Sequence, residues 1–343
     1  MNIIVLCGGL SAERDVSISS GTQVKRALCA LGHNAVLVDA FFGYQGTYDD
    51  PREIFTKPYD AVCAAVGESA PDLDDIRASR GDDGRVSIGA NLLEVCAAAD
   101  VVFMAMHGED GENGRLQALF DVMNIRYTGT GYLSSAVCMN KSVSKSILAV
   151  SGIPTPPGIT VKKSAEPYGN VGFPCVVKPC SGGSSVGTSI VRCAEDYGKA
   201  LELAFAYEDA VLVEKYIRGR ELTVGVLGGA AMPVVEIIPR SGFYDYKNKY
   251  QAGCTEEICP AQISPALTKK LQRMAEDASR ALMVETYCRV DFLAEGEGVW
   301  CLEVNTLPGM TPTSLIPQMA AAMGMDFPVL CQRIIDESMK KYQ

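Results

Sequence analysis

Two short stretches, Arg289-Val290-Asp291-Phe292 and Leu302-Glu303-Val304-Asn305-Thr306-Leu307-Pro308-Gly309, combine the residue types that hold a hard cation beside a phosphate. Each stretch alternates polar and apolar side chains, which predicts a β-strand with one buried face. Val290, Phe292, Leu302 and Val304 fall on the buried face, and Arg289, Asp291, Glu303 and Asn305 on the other. Glu295-Gly296-Glu297-Gly298 reads as the hairpin turn. Pairing symmetric about Glu297 sets Asp291 opposite Glu303 and Arg289 opposite Asn305. Two carboxylates and an amide are oxygen donors of the kind Mg²⁺ accepts, with room left for phosphate oxygens. An exposed hairpin with a cross-strand salt bridge has the same pattern, so the remainder of the chain must decide.

Lys178-Pro179-Cys180-Ser181-Gly182-Gly183-Ser184-Ser185-Val186-Gly187 follows an apolar strand. Its glycines let backbone N–H groups approach an oxyanion, its serines add hydroxyls, and Lys178 adds charge. The Gly-Lys-Ser/Thr of a Walker loop is absent from the chain. Gly183-Ser184-Ser185-Val186-Gly187 also fits G-x-S-x-G, which raises a serine hydrolase with Ser185 as nucleophile. That fold needs a histidine downstream, and the only histidines, His33 and His107, lie upstream. A dinucleotide module is a third reading, but neither Gly8-Gly9 nor Gly129-Thr130-Gly131 completes G-x-G-x-x-G. His107 opens a Gly-rich loop at a strand end, where α/β sheets bind ligands. Glu13, in the first strand-end loop, is placed to meet an ammonium group or simply to oppose a helix dipole. Val211 to Ile217, with Glu221 beyond, has the character of a strand whose backbone meets a base edge while Glu221 takes ribose hydroxyls.

The bulk properties narrow the classes. A chain of 343 residues exceeds one ordinary core, so two or three domains are expected. A net charge of −10 without a basic tail argues against general nucleic-acid binding. Phosphate chemistry would then require lysines gathered locally, which draws attention to Lys141, Lys178, Lys215 and Lys249. Thirteen cysteines without a C-x-x-C pair fit reduced, buried thiols in a cytoplasmic protein, and no metal is expected beyond a hard cation. The first residues enter a strand without a leader-like segment, and no apolar run approaches the ~18 residues of a membrane helix.

Strands at 3–7, 35–38, 100–106 and near Tyr127 alternate with helices to about Leu31 and at about 113–123, which predicts an α/β fold with a parallel sheet. Residues 43–95 read as an irregular elaboration without an assignable role. A helix from Leu133 to Val150 leads to the Pro-rich connector 153–157. Strands at 175–178, 189–191, 211–214, 221–227 and 232–238, a helix at 196–206 and a loop at 241–257 follow. Ser264-Pro265 starts a helix with its core stripe at Leu267, Leu271, Met274, Ala278 and Leu282.

Taken in order, Gly8 to Ser17, His107 to Gly114, Tyr127 to Gly129, Met139-Asn140-Lys141, Gly183 to Gly187, Glu214-Lys215, Phe243 to Tyr250, Arg289 to Asp291, Glu303 to Gly309 and Ser314-Leu315 are collinear with one family. The chain resembles the ATP-grasp superfamily and, within it, the D-alanine–D-alanine ligases. The resemblance implies an N-terminal Rossmann-like substrate domain (1–130), a central ATP-grasp subdomain (131–214) and a C-terminal subdomain with the Mg²⁺ site (215–343). It implies that ATP phosphorylates one D-alanine and that the amine of a second displaces the phosphate. Asp291, Glu303 and Asn305 would hold two Mg²⁺, with Mn²⁺ as a substitute. ATP would meet Lys141, Lys178, Gly183, Ser185 and Lys249 at its phosphates and Glu214, Lys215, Ile217 and Glu221 at adenosine. Glu13 would take the first ammonium, with Ser184 and Tyr250 in one hydrogen-bonded set and His107 near the first substrate. Arg289 and the Gly309 N–H would stabilise the oxyanion, and Ser314 with the Leu315 N–H would take the second carboxylate. A homodimer is implied too, and ligases that use D-serine or D-lactate second are the nearest alternatives. Asn140, Cys180-Ser181-Gly182, Thr313 and the long 43–95 segment depart from the family pattern.

Overall fold

The computed structural model describes residues 1–57, 67, 71–81, 84–165, 168–183, 186–240, 254–311 and 313–343. Its N-terminal sheet is parallel, in the order β2-β1-β3, with β1 Asn2–Cys7, β2 Asn34–Asp39 and β3 Val101–Met104. Tyr127 extends it through a parallel bridge to Val102. Ile3, Ile4, Val5 and Leu6 are all fully buried, so β1 is covered on both faces, as its continuous apolar run requires. The helix Arg14–Ala30 packs against β1 and β2.

The chain then builds two antiparallel sheets. One has the order β4-β7-β5-β6, with β4 Gly158–Lys162, β5 Cys175–Pro179, β6 Ser189–Val191 and β7 Ala210–Lys215. The other has the order β10-β9-β8-β11-β12, with β8 Arg220–Leu227, β9 Ala230–Pro239, β10 Thr255–Ile258, β11 Tyr287–Glu295 and β12 Gly298–Asn305. The α/β fold with a mixed α+β C-terminal half that the family resemblance implies is therefore observed. The helix Pro265–Ala281 starts as expected, with the Ser264 hydroxyl accepting from Leu267 N–H at 3.2 Å, and buries Leu271, Ala275, Ala278 and Leu282 in the core of the larger sheet. The C-terminal helices Leu315–Ala322 and Phe327–Met339 instead join the core beneath the N-terminal sheet.

Several expectations need correction. The helix expected over 133–150 is two, Tyr132–Met139 and Lys141–Val150. Asn140 between them is extended, at φ −89° and ψ 101°, and its side chain accepts from the Val143 N–H at 3.1 Å. It ends one helix and caps the next. The helix expected at about 113–123 is observed as Arg115–Val122, preceded by a short helix, Glu109–Glu112, that was not expected. Strands β4 and β10 were not foreseen. β4 exposes all but Val161, and β10 buries no side chain fully, so neither alternates the way a half-buried strand does. Cys96 and most other described cysteines are buried, but Cys29 and Cys193 are exposed.

The 43–95 segment contributes the helices Leu73–Ser79 and Leu92–Ala97 and a cation–π contact in which Arg80 lies 4.0 Å over the Phe41 ring. Among the described residues, no helix is long and apolar enough to cross a membrane. Replacing Asn140 by Ala should remove a helix cap and cost about 1 kcal/mol, read as a lower urea midpoint at unchanged slope. An unchanged midpoint would show that the break at Asn140 does not depend on its side chain.

Candidate functional site

The hairpin of β11 and β12 carries the first part of the site. Its turn is shorter than expected: Glu295 pairs with Gly298, Ala294 with Val299, and Phe292 with Cys301. Continued without interruption, that register would set Asp291 against Leu302. A bulge between Asp291 and Phe292 shifts it by one residue. Asp291 therefore lies opposite Glu303, and Arg289 opposite Asn305, as expected for the wrong reason. The bulge also corrects the expected face of Leu302, which is only half-buried; Cys301 and Val299 take the buried positions.

On this face Asp291 is closely held. Arg289 donates to both of its oxygens, from Nε at 2.9 Å and from a terminal nitrogen at 2.8 Å, and the Thr223 hydroxyl donates at 2.6 Å. Glu303 meets Lys141 at 3.4 Å, and the Asn305 amide oxygen accepts from the Leu307 N–H at 3.0 Å. Among the described residues, no three His, Cys, Asp or Glu side chains form a ready cation cage. Two carboxylates with one amide oxygen nevertheless suit Mg²⁺, which commonly takes one or two protein carboxylates and completes its shell with water and substrate phosphate. Carboxylate oxygens retain further lone pairs after accepting these bonds, so Asp291 can still ligate.

Facing the hairpin is a set of lysines. Lys141 is buried, and its ammonium donates to the Gly182 carbonyl at 2.7 Å while its backbone N–H donates to Cys180 at 2.7 Å. It thus ties the Gly-rich loop to Glu303. Glu214, expected at adenosine, has its side chain inside the protein, 2.5 Å from Lys145 and 2.6 Å from Lys178. Burial alone would raise the Glu214 carboxyl, but the two ammonium groups outweigh it and hold the pKa below the usual range. Burial also works against Lys178, yet Glu214 and Glu303 keep it above the ordinary lysine value, whereas burial prevails at Lys145 and lowers it. Lys145 was missed. It stands four residues after Lys141 on one helix, a spacing that would have pointed to it.

Lys215 is exposed, Ile217 is buried, and Glu221 lies on β8, paired with Ile237 and Leu293. The backbone N–H of Lys215 donates to Pro157, so that group is engaged within the protein. Glu112 was also missed. It lines an open cleft together with Lys141, Gly182, Gly183, Glu303 and Asn305. Burial, reinforced by the charge of Glu13, pushes its carboxyl up to about 8.

Glu13 occupies the cap position of the helix Arg14–Ala30. A β-carbon on Gly183 or on Gly108 would stand 3.1 Å from its Oε2, so the carboxylate is wedged between the two strand-end loops. A second, small crevice opens beside it at the ends of the parallel strands. Gly8, Gly9, Glu109 and Asp110 line it, and Ser87 and Ile88 from the 43–95 segment form part of its wall. His107 is buried and engaged on both nitrogens, with Nδ1 2.9 Å from the Leu307 carbonyl and Nε2 2.9 Å from the Ser20 hydroxyl. The ring therefore joins the N-terminal sheet to the loop after β12. Gly309 lies in that loop; a β-carbon there would stand 2.7 Å from Ser314 Oγ. The Ser314 hydroxyl accepts from the Thr311 N–H at 3.0 Å, at the start of the helix Leu315–Ala322 whose first residue buries its side chain. Ser184, Ser185, Lys249 and Tyr250 lie outside the described residues, as do Pro312 and most of the 241–257 loop.

Comparison with known proteins settles the family. The model "D-ala D-ala ligase N-terminus" matches residues 2–130, and "D-ala D-ala ligase C-terminus" matches residues 149–336. The chain belongs to the D-alanine–D-alanine ligase family. The D-alanine–D-alanine ligase of Lacticaseibacillus casei is 40% identical over 100% of this chain and 97% of that protein. That of Geobacter sulfurreducens is 41% identical over 96% and 92%. A Bacillus anthracis ligase solved in complex with ATP aligns with a TM-score of 0.75 at 28% identity, covering 99% of this chain and 98% of that one. A Coxiella burnetii ligase reaches 0.75 at 28% identity, over 100% and 95%. Family membership removes the serine-hydrolase and dinucleotide readings and fits the fold to the ATP-grasp type.

The doubly engaged His107 makes one outcome measurable. Burial holds its pKa below the ordinary 6.5, with Glu13 opposing, so the unfolded chain takes up a proton before the folded protein does. This contribution to stability is complete above pH 6.5 and is lost as the pH falls through the folded-state value. Stability should decline as the pH falls from 6.5 to the folded-state value, with a slope of up to about 1.4 kcal/mol per pH unit, and His107→Gln should flatten this part of the profile. An equal slope in both proteins would place the responsible group elsewhere.

Proposed function

We propose that this ligase joins two D-alanines into D-alanyl-D-alanine at the cleft between the hairpin of β11 and β12 and Glu13, supplying peptidoglycan precursors. ATP is its phosphoryl donor. The terminal phosphoryl group passes to the carboxylate of the first D-alanine, giving an acyl phosphate. The amine of the second then attacks that carbonyl, and phosphate leaves. The observation that supports this reading most directly is the Asp291–Glu303 pair set side by side by the bulged hairpin, with Glu303 and Gly183 lining one cleft and the Glu13 carboxylate standing against Gly183.

In this reading Asp291, Glu303 and Asn305 would hold two Mg²⁺, which would neutralise phosphate charge. Lys141, Lys178 and Lys249 bind phosphate, with Gly183 and Ser185 supplying backbone and hydroxyl donors. Glu214, Lys215, Ile217 and Glu221 surround adenosine. The Glu214 carboxylate is itself held by Lys145 and Lys178. Glu13, with Ser184 and Tyr250, orients the first D-alanine; Arg289 and the Gly309 N–H stabilise the oxyanion; Ser314 and the Leu315 N–H hold the second carboxylate. The same reading divides the chain at about 130 and 214 and describes a cytoplasmic homodimer.

Phosphate release should require D-alanine, stop with EDTA and return with Mg²⁺ or Mn²⁺, and the dipeptide should be identifiable by mass. Faster turnover with D-serine or D-lactate as second substrate would reassign the chain within its family. Arg289→Ala should lower turnover by at least ~100-fold, the scale of one lost oxyanion donor; near-normal turnover would remove Arg289 from the assignment. Glu13→Gln should raise the Michaelis constant for the first D-alanine, and an unchanged constant would count against its ammonium role.

A further inference from the structure

The helix that starts at Glu13 carries Ser20 two turns later, with its side chain fully buried. The Ser20 hydroxyl lies 2.9 Å from His107 Nε2 and accepts from the Met310 N–H at 3.2 Å. The other ring nitrogen, Nδ1, lies 2.9 Å from the Leu307 carbonyl. A carbonyl can only accept, so the proton of the neutral ring resides on Nδ1, and Nε2 must accept from the Ser20 hydroxyl. Each ring nitrogen has one role and one partner, while the Ser20 hydroxyl both donates to the ring and accepts from Met310. It crosses from the N-terminal sheet to the loop after β12, and it grips that loop at Leu307 and at Met310. Between those two points lies Gly309. The Leu307 N–H is held as well, by the Asn305 side chain.

We propose that Ser20 is a positioning residue for the ligation, acting through His107 and the Met310 N–H to hold the Gly309 peptide where its N–H meets the developing oxyanion. Because one rigid helix carries both Glu13 and Ser20, the ammonium of the first substrate and the oxyanion donor share a common frame. Preorganised donors accelerate a reaction only when they are fixed before charge develops, and a loop without such anchors would have to be ordered during the step. The inference rests on the oxyanion role given above to Gly309. It adds a residue that does not touch the substrate.

The test compares Ser20→Ala with Ser20→Cys, which keeps the volume but replaces the hydroxyl by a weak hydrogen-bonding thiol. Dipeptide formation is measured with full kcat and KM values for ATP and D-alanine, together with inhibition by a phosphinate analogue of the tetrahedral intermediate. Both variants should lose at least about tenfold in kcat, approaching the roughly hundredfold that an ångström of misplacement costs. The KM for ATP should stay within about twofold, and affinity for the phosphinate should fall by the same factor as kcat, the pattern of an interaction made only in the transition state. A merely structural serine would lower the melting temperature without that split. If kcat stays within about twofold, or if it falls without loss of phosphinate affinity, the proposal is overturned. Failure of both variants to fold would equally assign Ser20 to structure alone. Wild-type protein that forms no dipeptide would sink the ligase reading itself, whereas active wild type with unaffected variants would sink only the role of Ser20.

Discussion

A buried charge must find a partner, and that constraint organises the centre of this molecule. The chain carries a net charge of −10, yet its cleft gathers Lys141, Lys145, Lys178 and Arg289 within a few ångströms of Glu303, Glu214 and Asp291. Glu214 is almost without solvent contact, and two lysines close on its two oxygens. Taking such groups from water costs several kcal/mol per ion, which only close and complete pairing offsets. The result is a set of interlocked ion pairs in which each basic side chain is held in place by a carboxylate.

The elements around the cleft are shaped to deliver those charges. The bulge in β12 places Asp291 and Glu303 side by side, although the two-residue turn alone would have put Leu302 against Asp291. The break at Asn140 starts a new helix at Lys141, so Lys141 and Lys145 project from its first turns toward the Gly-rich loop and Glu214. The helix Arg14–Ala30 begins at Glu13 and reaches the far side of the cleft through Ser20 and His107. Three sheets of different topology thereby contribute to one site. The C-terminal helices, packed into the core of the N-terminal sheet, hold its two ends of the chain together.

Much of this was legible from local pattern. Strand alternation identified both arms of the hairpin, the apolar run of residues 3–7 marked a strand of the parallel sheet, and Ser264-Pro265 marked a helix start. Edge strands β4 and β10 escaped notice because they bury too little to alternate. Asn140 was read as the interior of one long helix, since apolar periodicity continues across it while its capping bond depends on backbone angles.

Residue types and their order determined the family and the reaction, because the groups that handle phosphate, carboxylate and ammonium are few and stand in a collinear series. Tertiary structure alone decided who pairs with whom. Thr223 reaches Asp291 from a neighbouring strand, Lys145 shares Glu214 with Lys178, and Ser20 meets His107 and Met310, separated from them by 87 and 290 positions. Spacing can mark a residue such as Lys145 but not its partner, because the free energy of burying a polar group depends on its neighbours in space, and those are set only when the sheets close over one another.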